Sequence, residues 1–134
     1  MNDDLKGVLH HVEIWVPELN RATREWGWVL DLLGYEIYQS WENGISWRLG
    51  STYIVFEESS DMTGREHNRT SPGLNHLAFH AGTRENVDAM VGDSAAQGWA
   101  PLFADKYPNA GGLGNYAAYL VNSDGFEIEL IAAD

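Results

Sequence analysis

A chain of 134 residues is long enough to bury a real core and too short for two independent domains. Its 44% hydrophobic and 12% aromatic content marks a globular protein, and a net charge of -12 opposes nucleic acid and anionic membrane surfaces as partners. With no cysteine there is no disulfide, no thiolate nucleophile and no Cys-based zinc or iron–sulfur site.

The start, Met1 to Lys6, lacks the basic and apolar regions of a signal peptide, and no run approaches membrane-spanning length, so a cytoplasmic location is expected. A first strand runs from about His10 to Val16 and ends at Pro17, a residue suited to the first turn of a helix. From Leu19 the apolar residues Leu19, Ala22, Trp26, Val29, Leu30 and Leu33 fall at helical spacing, and Gly34 supplies the stop. Three strands follow, Tyr35 to Trp41, Ile45 to Leu49 and Thr52 to Glu58, with turns at Asn43-Gly44 and Gly50-Ser51. The polar stretch Ser59 to Gly73 reads as a linker, and its Asn68-Arg69-Thr70 as a chance match to a glycosylation acceptor. A strand from Leu74 to Ala81 precedes a helix with Thr83 as N-cap, Glu85 in its first turn and Val87, Met90, Val91 and Ala95 on one face, ended by Gly98. Strands near Ala100 to Ala104, Tyr116 to Val121 and Phe126 to Ile131 follow, the last two joined by the turn Asn122-Ser123-Asp124-Gly125. Between Asp105 and Asn115 three glycines mark an irregular loop, either a cover for a site or a plain surface loop.

This order repeats. Leu9-His10-His11-Val12-Glu13-Ile14-Trp15-Val16 returns 65 positions later as Leu74-Asn75-His76-Leu77-Ala78-Phe79-His80-Ala81. The copies share a Leu, a His and apolar residues at every second position, a strand pattern of period two. Each half reads as βαβββ, which makes the chain an α+β protein of two modules, about 5–58 and 74–134, in one domain.

Alternation assigns the strand faces. Val12, Ile14 and Val16 form the helix side of the first strand, sending His11, Glu13 and Trp15 to the other face. Leu77 and Phe79 likewise send His76, Ala78 and His80 outward, and Phe126, Ile128 and Leu130 send Glu127, Glu129 and Ile131 outward. If Ile54 and Phe56 belong to the core, Glu57 joins Tyr53 and Val55 on the cavity face; a one-residue slip puts Glu58 there instead. His11, Glu57, His76 and Glu129 then form a set of two imidazoles and two carboxylates, suited to zinc, nickel, cobalt, manganese or iron(II). Its strength is symmetry: both histidines hold one position of the repeat, and both glutamates lie at or near the end of its last strand.

These residues resemble the vicinal oxygen chelate superfamily of glyoxalases, extradiol dioxygenases, fosfomycin-modifying enzymes and bleomycin-resistance proteins. The carriers are Leu9 to Val16 with Pro17-Glu18-Leu19, Leu33-Gly34-Tyr35, Gly73-Leu74-Asn75-His76-Leu77-Ala78-Phe79, and Asn122-Ser123-Asp124-Gly125-Phe126-Glu127-Ile128-Glu129-Leu130. The resemblance implies a cup-shaped, partly open mixed β-sheet barrel with helices outside. It matches His11, Glu57, His76 and Glu129 to the metal-binding positions of glyoxalase-type members, where the metal acts as a Lewis acid on vicinal substrate oxygens. Glu129 or Glu57 would move the proton. Trp15 stands where glyoxalases usually place an Arg, which argues against glutathione thioesters as substrates.

The cavity face is aromatic. Trp15, Tyr53 and, depending on register, Trp41 or Trp47 line it, with Arg48 as an anion contact and Glu13 and His80 on the same faces as the histidines. The expected function is a small metalloenzyme, a lyase or isomerase acting on a small oxygenated hydrophobic substrate. The alternatives are a metal-free, bleomycin-resistance-type protein sequestering a flat or cationic ligand, and an iron(II) extradiol dioxygenase. A homodimer is expected.

Overall fold

A computed structural model describes residues 3–133; Met1, Asn2 and Asp134, which belong to the expected start and end of the domain, lie outside the described residues. The chain divides into two compact units, Met1–Arg65 and Glu66–Asp134, with the boundary inside the polar stretch 59–73.

The first unit contains β1 (His11–Trp15), α1 (Leu19–Leu32), β2 (Glu36–Trp41), β3 (Gly44–Leu49) and β4 (Thr52–Glu57). Its sheet runs β1-β4-β3-β2, with β1 parallel to β4 and the other pairs antiparallel. The second unit has β5 (His76–His80), α2 (Arg84–Ser94), β6 (Trp99–Leu102), β7 (Ala117–Asn122) and β8 (Glu127–Ile131), in the matching order β5-β8-β7-β6. Both units are therefore βαβββ modules built on an open four-stranded mixed sheet, and the fold class is α+β.

Helix α1 starts later than Pro17 suggests. Glu18 holds an extended backbone and its side chain accepts from the Arg21 amide, so Pro17 lies before the cap and not in the first turn. A second carboxylate, Glu58, accepts from the Leu19 amide at 2.8 Å, placing negative charge at the positive end of the helix. At the other end Gly34 takes φ 93°, which ends the helix as expected. The buried face, Ala22, Trp26, Val29 and Leu30, packs with Ile45, Trp47, Ile54 and Phe56 into the core of this unit. The Phe56 ring lies 4.8 Å from Trp26 and 5.6 Å from Trp47, so three large aromatic groups share one interior. Trp47, only 1% exposed, thus belongs to the helix side of the sheet.

In the second unit Val87 and Met90 of α2 are buried with Trp99, Leu120, Ile128 and Leu130. Thr83 caps the helix, its hydroxyl accepting from the Asn86 amide at 3.0 Å. The α-helix closes at Ser94, and a 3-10 turn, Ala95–Gln97, leads to Gly98 at φ 88°. Ala95 accordingly lies exposed rather than on the buried face. Strand β6 ends earlier than expected because Phe103 turns to φ 55°. Among the described residues no helix is long and apolar enough to cross a membrane.

Candidate functional site

The alternation in β1 survives intact. Ile14 and Val16 are buried, while His11, Glu13 and Trp15 are exposed on the opposite face. Strand register then sorts that face into cross-strand rows. His11 pairs with Tyr53, which pairs with Arg48; Glu13 pairs with Val55 and Ser46; Trp15 pairs with Glu57, Gly44 and finally Trp41.

In the first row the His11 and Tyr53 rings stack at 4.8 Å, 3° from parallel, and His11 Nδ1 lies 3.0 Å from His10 Nδ1. A bulge between Ile37 and Gln39 brings Tyr38 against Tyr53 at 5.2 Å, and the Arg48 guanidinium lies 4.4 Å over the Tyr38 ring. Arg48 is thus held by an aromatic face.

The third row resolves two choices. Trp41, not Trp47, joins Trp15 on the cavity face, and both are more than two-fifths exposed. The Trp41 indole lies across Gly44 so closely that a Cβ there would sit 2.2 Å from the ring. Glu57, not Glu58, occupies the row between the two indoles, because Glu58 is drawn to the α1 N-terminus. The Glu57 carboxyl is pushed above its ordinary range, chiefly by a hydrogen bond with Glu13, then by burial and by the charges of Glu13 and Asp61. Trp15 Nε1 donates to Glu13 Oε2 at 2.7 Å, which completes the cluster.

Glu57 and His11 therefore share a face but lie two rows apart, about 13 Å along the strands at about 3.3 Å per residue. The repeat is also less symmetric than the sequence suggests. His11 opposite Tyr53 corresponds to His76 opposite Glu127, so the register equivalent of Glu129 is Val55, and that of Glu57 is Ile131.

The second unit brings two of the expected ligands together. His76 Nε2 lies 3.2 Å from Glu129 Oε1. The hydrogen-bond chain behind the ring assigns its tautomer. Asn75 Nδ2 donates to the Arg69 carbonyl at 2.9 Å, so Asn75 Oδ1 can only accept, and it does so from His76 Nδ1 at 2.6 Å. In the neutral imidazole Nε2 then carries the lone pair and faces a carboxylate oxygen. Two acceptors at that distance require a positive charge, either an imidazolium proton or a cation bonded to both. Bonds of about 2.1 Å from one divalent ion to neighbouring ligands place their donor atoms about 3 Å apart, so the pair fits an ion. Among the described residues, however, no three His, Asp or Glu side chains gather as a metal-holding group.

Three further residues of this face escape the sequence reading. Tyr119, opposite Glu129 on β7, hydrogen-bonds its carboxylate, and its ring meets His76 at 5.8 Å. Burial first, and the carboxylates next, push the Tyr119 phenol upward. Arg69 Nη1 binds the buried Glu127 at 3.0 Å, pairing a carboxylate whose Oε2 lies 4.0 Å from His76 Nδ1. The loop glycine Gly111 packs so close to Tyr119 that a Cβ would lie 2.9 Å from the hydroxyl and 3.8 Å from Glu129 Oε2. Face assignment of β7 by alternation would have found Tyr119; no local signal marks Arg69 or Gly111. His80 sits on the same face as His76, exposed and opposite Ile131, one row beyond Ala78 and Glu129. A cavity of about 110 Å³ opens beside Tyr119, bordered by Val91, Leu102, Tyr107 and Ala118.

A sequence model of the Glyoxalase/Bleomycin resistance protein/Dioxygenase superfamily matches residues 10–119. The chain belongs to this superfamily. A relative in it, the Bacillus subtilis (strain 168) protein YqjT, of uncharacterized function, is 41% identical over 125 residues, 92% of this chain and 98% of that protein. The superfamily fold recurs in a Bacillus halodurans protein provisionally designated a glyoxalase, at 41% identity and a TM-score of 0.93 over 98% of this chain and 100% of that one. Listeria monocytogenes FosX, a fosfomycin resistance protein crystallised with manganese(II) and sulfate, shares the fold at 18% identity, with a TM-score of 0.62 over 96% of this chain and 93% of its own.

Proposed function

We propose that the protein is a superfamily enzyme that holds a divalent cation through His76 and Glu129 and acts as a lyase or isomerase on a small oxygenated substrate. The observation that carries this reading is the facing pair of acceptors, His76 Nε2 and Glu129 Oε1, whose tautomer is set from behind by Asn75. When bound, such an ion supplies Lewis-acid polarisation of substrate oxygens. The chain's own residues do the rest. Asn75 keeps the Nε2 lone pair forward, Tyr119 orients the Glu129 carboxylate, and Glu129 is the group that can take a proton from a neighbouring carbon or oxygen acid.

The resemblance adds His11 and Glu57 to the ligand set. Within the first unit the neighbours of Glu57 are Glu13 and two indoles, which supports His11 better than Glu57. Titration with zinc, nickel, cobalt, manganese or iron(II) by calorimetry decides the matter. One ion per chain is expected, lost in His76→Ala and Glu129→Gln and retained in His80→Ala; no binding by the parent protein refutes the reading. A homodimer and a cytoplasmic location belong to the same proposal, and a monomeric mass by light scattering would remove the first.

A second reading, a protein that binds a flat or cationic ligand, is favoured by the row Trp15, Glu57, Gly44, Trp41, where two exposed indoles flank a crowded carboxyl pair.

A further inference from the structure

Helix α2 carries an exposed carboxylate that serves neither its cap nor its core. Asp88 Oδ1 accepts hydrogen bonds from two phenols, those of Tyr107 and Tyr116, the second at 2.7 Å. These tyrosines are the two ends of the glycine loop, so one side chain ties both ends to the helix. One turn before Asp88, the Arg84 guanidinium lies 4.9 Å over the Tyr116 ring and steadies it.

Between its ends the loop is bonded to itself. The Gly112 amide donates to the Asn109 carbonyl at 2.9 Å, Asn109 Nδ2 to the Asn115 carbonyl at 3.0 Å, and Asn115 Nδ2 to the Gly111 carbonyl at 3.3 Å. Such a segment moves as one piece, in the manner of a compact Ω-loop. Its innermost point is Gly111, which rests on the Tyr119 hydroxyl beside Glu129 Oε2. The Glu129 side chain keeps only 15% of its exposure.

We propose that residues 107–116 form a strap over Glu129 and that Asp88 is its latch, so that releasing this carboxylate opens Glu129 to solvent. What the strap guards rests on the His76–Glu129 reading; the latch itself does not. Phenols donating to an ionised carboxylate make charge-assisted bonds, yet at a wet surface each is of modest net value. Two such bonds give a strap that is closed in most molecules and able to open.

The test uses the whole chain without added metal. Asp88→Ala removes the latch; the double variant Tyr107→Phe with Tyr116→Phe keeps both rings and the carboxylate but removes the donors. Amide exchange of peptides spanning 107–116, and the reaction of Glu129 with a water-soluble carbodiimide and glycine amide, are followed by mass spectrometry. Both rates are expected to rise about tenfold in either variant, with exchange in β5 and β8 unchanged. Unchanged strap exchange in both variants overturns the latch. Faster strap exchange with unchanged Glu129 labelling overturns the cover. Metal titration of the parent protein is a separate measurement, and its failure would remove the ion from Glu129 while leaving these rates decisive.

Discussion

Asn75 shows how little it takes to commit a histidine to one role. Its amide is locked by the Arg69 carbonyl, which leaves Asn75 Oδ1 as an acceptor facing His76 Nδ1. Partners behind a metal ligand typically tune affinity by about 10–100-fold, so if His76 holds the proposed ion, Asn75→Leu should weaken its binding by about that factor while leaving the fold intact. Calorimetric titration of the variant beside His76→Ala checks it, and an unchanged affinity would mean that the tautomer is set elsewhere. The sequence exposed His76 through the repeated Leu-x-His, but Asn75 lay in plain view without meaning. Its role depends on a carbonyl six residues upstream, which no local pattern announces.

At the scale of elements, alternation identifies the face of each strand but is blind to its row. That is why His11, Glu13 and Trp15 were legible from β1 alone, whereas the placing of Glu57 beside Trp41 required the ladder of β1, β4, β3 and β2. Trp47 and Trp41 were indistinguishable in sequence because the turn between β2 and β3 sets which indole faces the helix. Boundaries moved for local reasons, as at Pro17, where Glu18 takes the cap, and at Phe103, where the backbone turns left-handed. The row itself is testable. If it receives a flat cation, intrinsic fluorescence should fall on titration with a bleomycin-like compound, and Trp41→Phe should weaken that response several-fold, the scale of about 1 kcal/mol for one cation–π contact. No change at millimolar ligand would count against the second reading.

For the whole molecule, several tyrosines tie stability to the alkaline side. Tyr35, Tyr107 and Tyr119, mainly through burial, and Tyr116, mainly through its bond to Asp88, all hold their protons above the ordinary phenol range. Their folded-state values are raised, so the stability they contribute is full below about pH 10 and is lost as the pH climbs through those values. Tyr35 and Tyr119 should therefore ionise late, together with unfolding, when phenolate absorbance and circular dichroism are followed in parallel. Separate transitions, with the phenols ionising near pH 10 while the fold persists, would contradict this.

The two-residue offset between Glu57 and Glu129 carries a consequence for descent. The ladders of the two modules share their order and direction, yet one copy has its carboxylate beside a histidine and the other has it two residues further along the equivalent strand, among indoles. The copies thus differ in where a carboxylate stands along ladders of the same order and direction. Reversing it takes two edits: Val55→Glu with Glu57→Val would give the first copy the carboxylate register of the second, at a buried position where an unpaired carboxylate is costly.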